Sequence, residues 1–578
     1  MTIEHTKTHQ QITESSFDTV IAGGGIAGLV TALELLLKGQ RICIVDRDTP
    51  ERLGGLARWA FGGMALCNTH EQKRMNIPDS TTKLLTDWHS FAEFNEQDYW
   101  PKLWANEYAK HNHDKVYLWL KSLGLKFLPA VNWVERGLYT PGNSVPRYHV
   151  LWGTGWGLVE KIIEQLTPYL ESKQLTVLHQ HKVVTLIQHD EKVAGVNVIK
   201  ECSAKPSSTK LTSTKQSSTP SLTTSQPASI ANTNEFSILA NNTVIACGGI
   251  NGSIERVKQN WQSPWPDQAD NILNGANPIS DGDLHDEIAN IGGNITRAEH
   301  MWNYAAGIKH PQAEFKGHGL SLIPSKSALW LNHQGERIGP MPLITGFDTH
   351  DLCQQVAKQE KPWTWQVLTW DMAIKELAVS GSLHNPSIRD KKYMSFAKEI
   401  LLGNTRLVHQ LIEESDDVLV GQSLEALTKK MNASTSENFI ADEKIATEVS
   451  KYNAQFADSA VIENDDQIRR IHHARQWRPD KLRTCKPTAI KAKRSDYPYN
   501  FIAIKLRLIS RKSLGGIQTN LASQVLNNKE QPIQGLYCVG EAAGFGGGGA
   551  NGKRSLEGTF LSACILTARN AAQSIQPT

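Results

Sequence analysis

Between Asp18 and Asp46 the chain switches hydrophobic period twice within 29 residues, DTVIAGGGIAGLVTALELLLKGQRICIVD. An apolar run at Asp18 to Ala22 predicts a short buried strand, and the apolar positions from Ile26 to about Lys38 recur at helical spacing, with Gly39 as the stop. Arg41 to Val45 predicts a second strand. The same alternation returns later: Asn242 to Gly249 is a strand ending in small residues, and Leu536 to Val539 is another. A final helix is expected from Ser555 to about Ala572, and helices at Trp370 to Val379, Lys398 to Glu414 and Leu424 to Met431 fill the region between. Strands alternating with helices predict an α/β fold with a parallel sheet.

The turn between the first strand and helix is Gly23-x-Gly25-x-x-Gly28, with Asp46 at the tip of the second strand. Glycines let phosphates approach the backbone, the helix N-terminus offers unpaired N–H groups, and an acid at Asp46 can accept hydrogen bonds from a ribose. Strand, helix, strand and acid in register predict dinucleotide binding. At the far end, GLYCVGEAAG delivers Glu541 to a loop that leads through Gly546 to Gly549 into the last helix. A nicotinamide enzyme needs no second ligand-facing strand end. A flavin does: Glu541 can accept from ribityl hydroxyls, and a helix N-terminus near Ser555 and Leu556 can stabilise charge on the flavin pyrimidine. Paired glycines, Gly54 with Gly55 and Gly62 with Gly63, would pass close beside a flat ligand.

Composition narrows the class only slightly. The chain has 578 residues, 40% hydrophobic and 21% charged, enough for two or three domains. A net charge of +3 says little about partners, and the basic stretch around His472 to Lys493 lacks a nucleic-acid-binding motif, so no nucleic-acid partner is expected. Eight scattered cysteines without a C-x-x-C pair argue against metal, iron–sulfur and c-type haem sites. No apolar run is long enough to span a membrane and the first residues carry no secretory pattern, so the expected location is cytoplasmic. Ser203 to Asn234 is a low-complexity Ser/Thr/Lys/Pro stretch expected to be a disordered insertion between two strands.

Five segments, LGGLARWAFGG, RYHVLWGTGWGLVE at Arg147 to Glu160, SRKSLGGIQTN at Ser510 to Asn520, and the Glu541 and Arg554 regions, resemble a known family. It is the flavoprotein family of fumarate reductase and succinate dehydrogenase subunits and the 3-ketosteroid Δ1-dehydrogenases, with the likeness strongest to the ketosteroid-type branch. The resemblance runs from about Asp18 to Ala572 except for the insertion. It implies a discontinuous Rossmann-like FAD domain over residues 17–298 and 500–578, with an α+β capping domain over 299–499. It also implies FAD contacts at Gly23, Gly25, Gly28, Asp46, Gly54, Gly55, Gly62, Gly63, Ala246, Asp281, Glu541, Ser555 and Leu556; spacing alone supports the first four and Glu541. Leu56 occupies the place of the histidine to which succinate dehydrogenases attach FAD, so FAD is expected to be non-covalent.

Candidate catalytic groups follow from the same likeness. Arg554 stands where fumarate reductases hold a substrate carboxylate, and Lys512, next to Arg511, stands near the family's HTMGG histidine. His300 and Tyr304, in EHMWNYAAG, open the expected cap, where Tyr304 could exchange a proton opposite hydride transfer. Trp302, Trp330, Trp363, Trp365 and Trp370 suggest a bulky apolar substrate. The expected activity is oxidoreduction of a CH–CH bond beside a carbonyl, with a small-molecule substrate that is apolar or carbonyl-containing and a separate electron acceptor or donor. A fumarate-reductase-like 2-enoate reductase and a non-catalytic flavin-binding protein are the alternatives.

Overall fold

The computed structural model describes residues 17–201, 235–261, 272–339, 341–435, 438–456, 465–494 and 496–576. The expected Ser203–Asn234 insertion lies outside them; the strands on either side of it are present as Lys192–Lys200 and Glu235–Ile245.

Two eight-stranded sheets organise the chain. In the first, Leu175–His179, Ile42–Asp46, Phe17–Ala22, Glu235–Ile245 and Pro532–Cys538 run parallel in that spatial order. Ile21 sits opposite both Ile44 and Val244, and all three are fully buried, because a parallel strand covered on both faces tolerates only apolar residues. The N-terminal half of Glu235–Ile245 pairs antiparallel with Lys192–Lys200, which pairs with His181–His189. Helices Ile26–Leu36 and Thr559–Ser574 pack together over one face. Phe17–Ala22 lies between Ile42–Asp46, which follows it through the first helix, and Glu235–Ile245, which comes from a distant part of the chain; a crevice at the carboxyl ends of such strands is the standard ligand position.

The second sheet has Phe501–Ser513 at its centre, antiparallel to Met301–Lys309 on one side and Trp363–Thr369 on the other. This strand lies beyond the expected boundary at 499/500, yet it pairs throughout with the inserted region. Trp330, Trp365 and Trp370 are buried in this sheet's own core, with Trp363 packed against it. The sheet, not the cleft, takes up these four tryptophans, because a small β-sheet needs large side chains to fill its faces.

Three expected helices shift. Trp370–Glu376 ends before a strand at Ala378–Val379, and the expected Lys398–Glu414 helix is two, Tyr393–Leu402 and Thr405–Glu414, divided at Gly403 with φ 91°. The final helix begins at Thr559, four residues later than expected, after Gly558 with φ 100°. In both places a left-handed glycine stops the helical path.

Candidate functional site

The crevice at the carboxyl end of the first sheet is a cleft with about 1630 Å³ of empty space, open to solvent at its mouth.

Its first end is built from backbone. Gly23 takes φ 114°, and a Cβ there would strike the carbonyl of Ala246, so only glycine carries the chain from the first strand past the third. Gly54 donates to Gly24 O at 2.8 Å and takes φ 100°, which locks the LGG pair onto the glycine turn. Gly28 lies behind the cleft wall, with its missing Cβ making room for the carbonyl of Gly23. Gly25 caps the first helix with no side-chain hydrogen bond, and a Cβ at Gly25 would find nothing closer than 4.0 Å. The helix N–H groups therefore face open space, a cradle that fits a pyrophosphate. Asp46 lines the cleft; its carboxylate accepts from Gly24 N and from Asp48 N at 2.8 Å, and burial holds its pKa above the ordinary carboxylate range. Ala246 and Asp281 also line it, Asp281 paired to Arg47 at 2.7 Å.

Gly55 lies beside Gly25, while Gly62, Gly63 and Glu541 line the cleft toward its other end. Glu541 accepts from Ser513 N at 2.9 Å, and burial pushes its pKa up to about 7. A buried carboxylate with spare acceptor capacity facing the cleft suits polyol hydroxyls. Gly63 leaves space that the ring of Tyr148 fills. Ser555 and Leu556 do not reach the cleft: Ser555 Oγ bonds Asn551 at 3.1 Å and Thr559 at 2.9 Å, and Leu556 is core. Because the helix starts at Thr559, the residues at its mouth are Glu557, Phe560 and Leu561 instead.

Glu557 organises the chemistry at this end. One carboxylate oxygen, Oε2, accepts from Trp302 Nε1 at 2.8 Å and Tyr304 Oη at 3.0 Å. Lys512 Nζ lies 3.5 Å from Tyr304 Oη and 4.2 Å above the Phe560 ring. Burial, then the charge of Glu557, holds the Tyr304 phenol well above its ordinary pKa, and Tyr148 is raised by the same two causes. Burial draws Lys512 down to about 8, partly opposed by Glu557. Arg511, beside it, donates to Gly275 O and keeps a buried Nε without a hydrogen-bond partner.

Two expected catalytic groups lie elsewhere. Arg554 is outside the cleft lining, its guanidinium held by Glu93 and by Asp348 at 3.2 Å. His300 also lies outside the lining; its ring is 3.7 Å from Glu299, and burial lowers its pKa. His149 bonds Thr69 at 2.7 Å and Arg147 O at 2.7 Å, and burial draws it down to about 4: a neutral structural histidine. Glu557 and Tyr148 are the site residues the sequence pattern passes over. Tyr148 sits inside the RYHV segment, while Glu557 has no signal beyond following Arg554 in KRSLEG.

A parallel sheet with a glycine cradle at one end of a long cleft and a buried acid at the other defines an FAD-dependent oxidoreductase. The chain belongs to the FAD binding domain family, whose model matches residues 18–561. It is 34% identical over 96% of its length to a KsdD-like steroid dehydrogenase of Mycobacterium tuberculosis, 95% of which is covered. It is 22% identical to a fumarate reductase (cytochrome) of Shewanella frigidimarina, over 96% of this chain and 76% of that one. Among solved structures, 3-ketosteroid delta1-dehydrogenase from Sterolibacterium denitrificans, in complex with 1,4-androstadiene-3,17-dione, has the same fold. That match has a TM-score of 0.64 and 14% identity, over 97% of this chain and 99% of that one. Among the described residues, no group of His, Cys, Asp or Glu is arranged to hold a metal, and no helix is long and apolar enough to cross a membrane.

Proposed function

We propose that the protein oxidises or reduces a CH–CH bond beside a carbonyl on an apolar, ketosteroid-like substrate. The observation that carries this reading is the Tyr304–Glu557–Lys512 group at the end of the cleft next to Glu541. In this reading the second sheet, including Phe501–Ser513, forms the cap, and substrate enters between it and the first sheet. The glycine turn and first helix would hold the FAD pyrophosphate, Asp46 the adenosine ribose, Glu541 the ribityl chain, and the N-terminus of Thr559–Ser574 the pyrimidine edge. FAD, when bound, supplies the hydride acceptor or donor at its N5.

The chain's residues handle the proton. Tyr304 stays a phenol at neutral pH, so it cannot act as a preformed phenolate base. It can pass its proton to Glu557 Oε2 as its oxygen takes one from the carbon beside the carbonyl; the reverse sequence protonates that carbon. Lys512 as an ammonium, with Arg511 Nε, would hold the substrate oxygen on which negative charge develops. Tyr148, Phe545, Phe560 and Leu561 give this end an apolar wall that excludes water. The 2-enoate reductase reading draws less support, since it requires the guanidinium of Arg554 to be free for a carboxylate and two acids already hold it.

Anaerobic rapid mixing with a panel of 3-ketosteroids, cyclic enones and enoates tests the reading. Ketosteroids should bleach or reoxidise the flavin. Tyr304→Phe and Glu557→Gln should slow that step by about 100- to 10,000-fold with FAD content unchanged. The wild-type rate should fall as pH rises through about 8, where Lys512 loses its proton. Bleaching by enoates alone, or wild-type rates in both variants, would overturn the assignment.

A further inference from the structure

Helix Tyr393–Leu402, YMSFAKEILL, turns its apolar face the wrong way for a globular protein. None of its residues is buried: Tyr393, Met394, Leu401 and Leu402 are 69%, 79%, 74% and 66% exposed. At about 100° per residue, Met394 and Leu401 share one stripe, with Tyr393 and Leu402 flanking it about 80–100° to either side. The opposite side anchors the helix, with Phe396 on Trp152 at a ring distance of 5.7 Å and Glu399 accepting from Ser387 Oγ at 2.6 Å. The exposed stripe is thus fixed in place rather than a frayed end. Leu482, 47% exposed, is on the neighbouring helix Arg478–Arg483, which packs against this one.

The patch is concentrated in charge as well. Residues 386–406 hold Arg389, Lys391, Lys392, Lys398 and Arg406 against Asp390 and Glu399, a net charge of +3 that equals that of all 578 residues. The patch also adjoins the cleft. Ser380 lines the cleft, and Ser382 donates to Trp59 O at 2.8 Å and Arg58 O at 3.1 Å, next to the lining residues Leu56, Ala57, Ala60 and Phe61.

We propose that this face docks the protein peripherally on an anionic lipid bilayer, with the Tyr393–Leu402 stripe in the headgroup boundary and the surrounding cations against lipid phosphates. Apolar side chains on one convex helix with lysines beside them match the chemistry of interfacial helices. A ten-residue helix spans only about 15 Å and offers far less than the roughly 1,200–2,000 Å² of a stable protein interface, whereas reversible lipid binding needs no such area. Docking there would bring the rim of the cleft to the surface where apolar substrates dissolve. That consequence rests on the proposed function; the docking itself does not.

Co-sedimentation of the FAD-loaded full chain with phosphatidylglycerol/phosphatidylcholine vesicles, and with phosphatidylcholine alone, is the test. The wild type should pellet with the anionic vesicles and be released by high salt. Met394→Asp/Leu401→Asp and Lys391→Glu/Lys392→Glu/Lys398→Glu should each lose about tenfold or more in binding. Flavin content and turnover of water-soluble substrate should stay at wild-type values in both. Equal pelleting of wild type and variants would overturn the proposal, as would a solution dimer that Met394→Asp/Leu401→Asp dissociates, which would assign the stripe to a second copy. Vesicle binding without any ketosteroid turnover would leave the docking intact and sink the enzymatic reading instead.

Discussion

The two ends of the cleft are built on opposite principles. At the glycine-turn end the contacts come from backbone: Gly23, Gly25 and Gly54 bring main chain against main chain, and the helix N-terminus faces outward uncapped. At the Glu557 end they come from side chains on separate segments: Tyr304 and Lys512 from the second sheet, Tyr148 from a two-stranded ribbon, and Glu557 from the loop before the last helix. At the backbone end an added atom meets the chain itself at Gly23 and Gly54 or fills the open space at Gly25, whereas a side-chain site tolerates shape changes and depends on protonation. The same cleft should therefore fail sterically at one end and titrate at the other.

The largest effect should come from Gly23→Ala. A Cβ at φ 114° meets the Ala246 carbonyl, and the combined strain and clash should cost on the order of 3 kcal/mol. Apoprotein without yellow colour, or failure to fold, is expected; full FAD occupancy by absorbance would remove Gly23 from the cradle. Glu541→Ala sits at the boundary of the two ends and should weaken FAD by about 1.5–3 kcal/mol, read by titrating apoprotein with FAD. FAD released by acid precipitation should be intact, since Leu56 offers no covalent link.

A further titrating group lies outside the cleft lining: Glu135, a buried carboxyl that accepts from Thr349 N at 3.0 Å and from Thr349 Oγ1. Burial, with Asp348 adding to it, raises its pKa from 4.5 to about 8. The folded state therefore holds a proton that the unfolded chain gives up, and stability falls as pH rises from about 4.5 toward 8. Glu135→Gln keeps the shape without the charge, so its melting temperature should gain on the wild type across that window, by an amount equivalent to roughly 1–3 kcal/mol. A constant difference from pH 5 to pH 8 would contradict this. The smallest effect is assigned to Arg554→Lys: loss of the fork to Glu93 and Asp348 should cost about 1 kcal/mol of stability, with flavin reduction close to wild type. A hundredfold loss in reduction with normal stability would return Arg554 to the substrate site.

The contrast between the ends also explains what could be read in advance. Gly23, Gly25, Gly28 and Asp46 belong to one local βαβ unit, and a local unit fixes its geometry by spacing within 29 residues. Glu541 was legible for the same reason, standing directly at a strand end. Ser555 and Leu556 were displaced because a helix boundary turned on Gly558, a left-handed position that apolar periodicity does not reveal. The cap boundary was obscured because Phe501–Ser513 follows the inserted region in sequence but pairs with strands inside it.

By itself the sequence determined the fold class, the glycine cradle and the acids at two strand ends, since each follows from periodicity and spacing along neighbouring residues. Only the tertiary structure decided that Glu557 joins Trp302 and Tyr304, that Glu93 and Asp348 take Arg554, and that the apolar side of Tyr393–Leu402 faces outward. Those pairings join residues 206 to 461 positions apart, or depend on which face of a helix meets the core. Chain spacing carries no information about either; the tertiary packing of distant segments supplies it.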